Sequence, residues 1–93
     1  MARRVEEAKN IGPVTGGDLR KVGISTVEAL ERTGWEEAWI LLCQHSPGYV
    51  HLVCGYALLG AVEGLDWMKL PSDRKEEVKR MKRQIQRDLR NRA

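Results

Sequence analysis

Ser46-Pro47-Gly48-Tyr49-Val50-His51-Leu52-Val53-Cys54-Gly55-Tyr56-Ala57-Leu58-Leu59-Gly60-Ala61-Val62-Glu63 is the most apolar stretch of the chain, and its periodicity decides the fold. Ser46 carries an oxygen suited to a helix N-cap and Pro47 the fixed φ of a first helical residue, so the spacing predicts one helix from there to about residue 63. Val50, Val53, Cys54, Ala57, Leu58, Ala61 and Val62 form a broad apolar surface, with Leu52, Tyr56 and Leu59 partly on the opposite side. A helix apolar most of the way round must be covered on most sides, which puts this one at the centre of a bundle. His51 interrupts it and it is too short to cross a bilayer, which takes about 20 apolar residues.

Towards the N-terminus, Trp35, Ala38, Trp39 and Leu42 recur at helical spacing, predicting a helix over 35–44 with that face in the core. Gly34 separates it from Ser25-Thr26-Val27-Glu28, a capping-box pattern with Ser25 as the cap, which opens a short helix over 26–32. A further helix runs from Pro13 or Val14 to Gly23, after a short piece around residues 5–9. Towards the C-terminus, residues 65–70 form a connection and Pro71-Ser72 opens a last helix reaching about residue 90. Its Val78, Met81, Ile85 and Leu89 make a narrow apolar stripe on a charged rod. No segment alternates as a strand would.

The expected fold is therefore all-α: a small orthogonal bundle of five or six helices, one domain over residues 1–93, with the bundle at 10–71 and a basic amphipathic helix at 72–93. Its expected core is Leu19, Val27, Leu30, Trp39, Leu42, Val53, Cys54, Ala57, Leu58, Ala61, Val62 and Leu70.

With 93 residues there is no room for a second catalytic lobe, and 42% apolar residues beside 31% charged ones exclude a disordered chain. Two cysteines without an export signal in Met1 to Lys9 read as reduced thiols of a cytoplasmic protein. Up to Pro71 there are seven basic and nine acidic side chains; after it there are nine and four. The positive field belongs to the C-terminal segment, where an acidic partner is expected to meet the protein.

Asn10-Ile11-Gly12, then Gly16 and Leu19, resembles a helix-hairpin-helix turn, in which residues tolerant of positive φ link two helices and a small residue lets them close. Pro13 lacks an amide hydrogen and no lysine sits in the turn. The wider run adds Gly23-Ile24, Thr26 and Leu30, then Tyr56 to Trp67, then Leu70-Pro71. Together these are similar to the C-terminal domain of the TfoX/Sxy competence-regulator family over roughly residues 10–81, here as a stand-alone chain. The resemblance implies a helix-hairpin-helix or SAM-like fold and a regulatory role linked to natural transformation.

Nucleic-acid phosphates are the first candidate ligand. Lys79, Lys82, Arg83 and Arg87 on the last helix are the main candidates, with Gly12, Arg20 and Lys21 of the hairpin adding at most a minor contact. Met81, Ile85 and Leu89 are candidates for self-association, which makes a homodimer the expected state. Cys43, His45, His51 and Cys54 lack the short knuckle spacing of a zinc site, and no third group is placed to orient His45 against Cys43, so neither metal nor nucleophile is expected. Trp35 and Trp39 read as core, whereas Trp67 reads as a plug between the last two helices. Glu63 and Asp66 are too isolated for acid/base work.

The functional expectation is a non-enzymatic regulatory or adaptor module binding nucleic acid weakly and without sequence preference, or a regulatory protein. The alternative is a homodimerising protein-interaction domain with no nucleic-acid contact. No cofactor, membrane or small-molecule substrate is expected.

Overall fold

The computed structural model describes residues 2–92 and has five α-helices: α1 (Pro13–Lys21), α2 (Val27–Thr33), α3 (Trp35–His45), α4 (Leu52–Glu63) and α5 (Ser72–Arg92). Single 3-10 turns lie at Val5–Glu7, Pro47–Tyr49 and Trp67–Lys69. The all-α architecture read from the sequence is the one observed. Pro13 stands at the start of α1, where its missing amide costs nothing. Gly34 both ends α2 and opens α3, at a φ of 86° that side-chain-bearing residues avoid.

Helix α4 packs against α3, α5 and α2 and so holds the centre. Leu58, Leu59 and Ala61 are buried on it, facing Trp35, Ala38, Trp39 and Leu42 of α3 and Val78 of α5 within one hydrophobic cluster. Gly55 permits that approach: a Cβ there would stand 2.6 Å from the Trp39 ring and 2.6 Å from a Val78 methyl.

Four local expectations are corrected. The helix expected from Pro47 is broken. The Tyr49 carbonyl accepts from the Trp39 indole at 2.7 Å and from the His51 amide at 2.8 Å, and so is taken up before the amide four residues on. That amide, on Val53, is instead capped by His51 Nδ1 at 3.1 Å, and α4 starts only at Leu52. The capping residue of α2 is Thr26, whose hydroxyl accepts from Ala29 at 3.0 Å, rather than Ser25. Glu28 does not reach back to Ser25 because Arg3 takes its carboxylate at 2.9 Å. Val53, expected in the core, is 37% exposed in the first turn of α4, while Leu59, placed partly on the opposite side and not among the expected core residues, is fully buried. Cys54, Ala57 and Val62 are only half-buried. Ile85 is 2% exposed within the chain's own core, so α5 folds back on the bundle and Ile85 is not an open seam for a second copy.

Residues 2–11 contribute more than a short flanking piece. Val5, Ala8 and Ile11 are buried, and the segment pairs with the entry to α2 through Val5 N to Ser25 O at 3.1 Å and Val27 N to Arg3 O at 2.9 Å. Arg4 and Thr26 thereby form an isolated antiparallel bridge.

Candidate nucleic-acid interface

Val78 and Ile85 are seven residues apart and pin one side of α5 to the bundle. The opposite side is fixed by the same geometry. Arg80, Arg83, Arg87 and Arg90 follow one another at spacings of three, four and three, fall on one helical face, and are all exposed. At 1.5 Å per residue they span about 15 Å of helix axis. Among the described residues none of the four has a carboxylate within salt-bridge distance. They form a strip of guanidinium groups, each able to offer two parallel donors to a phosphate.

Two sequence candidates, Arg83 and Arg87, lie on this strip. Lys79 sits at its edge, its ammonium 3.3 Å from Glu76. Lys82 is half-buried on the flank. Arg74 is turned inward to Glu63 and, at 2.7 Å, to Glu77. Arg80 and Arg90, which are not among the sequence candidates, share this face, and their phase opposite Val78 and Ile85 follows from the apolar stripe.

The hairpin candidates do not join this strip. Gly12 caps α1 with an extended φ of −94°, and its carbonyl accepts from Gly16 at 2.8 Å. The left-handed residue of the turn is Asn10, at a φ of 71°. Arg20 and Lys21 occupy the last turn of α1, the end away from Gly12. Arg20 is moreover engaged with Glu6, Nε to Oε2 at 3.0 Å, and that guanidinium holds the Glu6 carboxyl down to about 2. Lys21 lies 3.8 Å from Asp18. No hairpin site combining Gly12 with these two cations is assembled.

What Asn10 does instead is tie the hairpin to the end of α4. Its Nδ2 donates to Leu65 O at 2.8 Å and Ala57 O at 3.3 Å, while its Oδ1 accepts from Trp67 N at 3.3 Å. Gly60 makes room for this amide, since a Cβ there would lie 2.5 Å from Nδ2 and 2.4 Å from Leu65 O.

The remaining polar and aromatic candidates have separate roles. His51 caps α4 through Nδ1. His45 Nε2 is 3.6 Å from Asp18, which also accepts a hydrogen bond from the Tyr49 hydroxyl. Burial pushes the Cys43 thiol up to about 12 and raises Cys54 as well, leaving both protonated near neutrality and poor nucleophiles. Among the described residues no group of three or more His, Cys, Asp or Glu is placed to hold a metal. Trp35 and Trp39 are buried with ring centroids 6.3 Å apart, so neither offers a face to a base. Trp67 lines a cavity with Asn10 and Val53, which places it on the hairpin side of α4 rather than between α4 and α5. No helix of the described residues is long and apolar enough to cross a membrane.

A family model described as the TfoX C-terminal domain matches residues 1–82. The chain is similar to a crystal structure of an uncharacterised protein from Listeria monocytogenes in a triclinic form, with 34% identity and a TM-score of 0.84 over 89% of this chain and 93% of that one. It is likewise similar to a protein of unknown function from Listeria monocytogenes in a tetragonal form, with 35% identity and a TM-score of 0.80 over 86% of this chain and 98% of that one. No curated protein matches it.

Proposed function

The chain belongs to the TfoX C-terminal domain family, and from that membership together with the face of α5 we infer a non-enzymatic regulatory module that binds nucleic-acid phosphates weakly and without sequence readout. The observation that carries this reading is the strip of Arg80, Arg83, Arg87 and Arg90, exposed on one face and without carboxylate partners among the described residues. Weak, sequence-tolerant binding follows from the chemistry: guanidinium groups recognise phosphates, and phosphate contacts position a protein without distinguishing bases. The homodimer alternative rested on Met81, Ile85 and Leu89. With Ile85 in the core it retains two half-buried side chains, which is a smaller basis than the arginine strip.

The test is fluorescence anisotropy with a labelled duplex of arbitrary sequence across a salt series. Affinity is expected to fall by about 0.9 logarithmic unit per tenfold rise in salt for every phosphate neutralised. Replacing Arg80, Arg83 and Arg87 together by Gln is expected to flatten the slope by up to about three contacts, whereas Arg20→Gln leaves it unchanged. Absence of binding at tens of micromolar protein in low salt, on the order of 50 mM, removes the reading, since non-specific binders of this type reach roughly that affinity.

A further inference from the structure

Between the hairpin, the Pro47–Tyr49 turn and α4 lies a cavity of about 170 Å³, to which α5 and its arginine strip contribute no lining residue. Leu42 and Leu58, at 0% and 1% exposure, form its depth. Val53, at 37% exposure, stands on its solvent side, and Ala57 and Trp67 complete an apolar wall. Asn10, Tyr49, Thr15 and Cys54 also reach it, and the first two are already engaged. Asn10 spends both amide ends on Ala57, Leu65 and Trp67. The Tyr49 hydroxyl donates to Asp18.

A water molecule needs two to four polar partners to be held, and an apolar cavity of about 150 Å³ lined by aliphatic and aromatic groups stays dry and takes up a benzene ring. Here the volume is comparable, the lining is mostly apolar, and the Asn10 amide and the Tyr49 hydroxyl are committed within the protein. An anion is disfavoured too, because the Tyr49 hydroxyl at the wall is backed by the carboxylate of Asp18. We propose that this cavity is a binding site for a small, neutral, single-ring aromatic molecule. The ring enters beside Val53 and lies against Trp67 and Leu58. It takes its free energy from apolar contact and asks for no hydrogen bond from the walls.

The probe is fluorobenzene, followed by fluorine NMR with the intact chain, with benzoate as the charged counterpart of similar size. Saturable binding at about 1 mM or tighter is expected for fluorobenzene, and binding at least tenfold weaker for benzoate. Ala57→Leu fills the cavity from its own wall while keeping the Ala57 carbonyl for Asn10, and it is expected to weaken fluorobenzene binding at least tenfold. In the unmodified protein the ring is expected to give intermolecular NOEs to the Leu58 methyls and the Trp67 indole, a readout that stands even if the variant misfolds. No saturation at the solubility limit of fluorobenzene, NOEs to other residues only, equal affinity for benzoate, or undiminished binding by a folded Ala57→Leu protein would each overturn the proposal.

Discussion

Replacing Asn10 is expected to loosen the join between hairpin and α4, and three variants separate the reasons. In Asn10→Gly the bond to Leu65 O at 2.8 Å and the two bonds at 3.3 Å are lost, while φ stays free. A good bond nets about 1 kcal/mol and a long, partly solvated one about half that, so the loss is about 2 kcal/mol. Asn10→Ala loses the same bonds and also forces a Cβ-bearing residue without a side-chain amide to hold a φ of 71°, which adds about 1 kcal/mol for a total of about 3. Asn10→Asp keeps an acceptor for the Trp67 amide but sets a carboxylate against the carbonyls of Ala57 and Leu65. That environment raises its folded pKa above the unfolded value of about 3.9, so this variant gains stability relative to the original protein as pH falls from 7 towards 4. Urea unfolding followed by tryptophan fluorescence measures all three, a loss of 2 kcal/mol moving the midpoint by about 1–2 M. If Asn10→Ala costs under about 1 kcal/mol, or Asn10→Gly costs more than Asn10→Ala, the amide is not the fastener described here.

Leu58→Ala removes a side chain 1% exposed at the centre of the bundle and is expected to cost about 2–5 kcal/mol in the same assay, unless the adjoining cavity already absorbs part of the loss and brings it to the low end. Glu6 and Glu28 are held down to about 2 by Arg20 and by the Arg3 amide and guanidinium. Since the folded values lie below the ordinary 4.5, their contribution is full above that pH and is lost as pH falls from 4.5 towards 2. Glu6→Gln is expected to shallow the acid limb of a stability-pH curve, and an unchanged limb would mean that the Arg20 pair is not maintained in solution. Stopping the chain after Lys79 deletes Ile85 from the core, so sedimentation of that fragment is expected to report unfolding. Sedimentation of Leu89→Gln in the full chain is the cleaner reading of self-association, and a monomer both before and after the change leaves no role for that stripe between copies.

Most elements were legible because the apolar repeat of a short helix and its punctuation are local signals. Trp35, Ala38, Trp39 and Leu42 are buried as their spacing requires, and Pro13 and Gly34 mark the boundaries they imply. The sequence misled where a distant group outbids the local pattern. Nothing near Pro47 announces that an indole ten residues back will occupy the Tyr49 carbonyl. Nothing near Ser25 announces that Arg3 will take Glu28 and that the Val5 amide will take the Ser25 carbonyl. For the candidate interface, charge count points to the last helix but does not say which of its cations are exposed and unpaired. Which cations are exposed depends on the phase of burial, and Lys79, Lys82 and Arg74 are drawn aside by Glu76, by burial and by Glu63 with Glu77. Arg20 was equally uninformative, because Glu6 pairs with it across 14 residues of chain.

The rung between Arg3, Val5 and the Ser25-to-Val27 segment closes residues 3–27 into a circuit with α1 inside it. Helix α1 is nine residues long, too short to persist on its own in water, and it packs on the N-terminal turn that the rung holds in place and on α3, with Leu19 fully buried. Native-state hydrogen exchange should then find no separate fraying of α1: its amides and those of Val5 and Val27 open in one event with one free energy. The N-terminal residues set the protection of a helix that begins ten positions after Arg3. Any additional sequence joined ahead of Met1 is attached close to that unit, so a load or a bulky fusion there acts on the opening of the hairpin before it acts on α4 or α5.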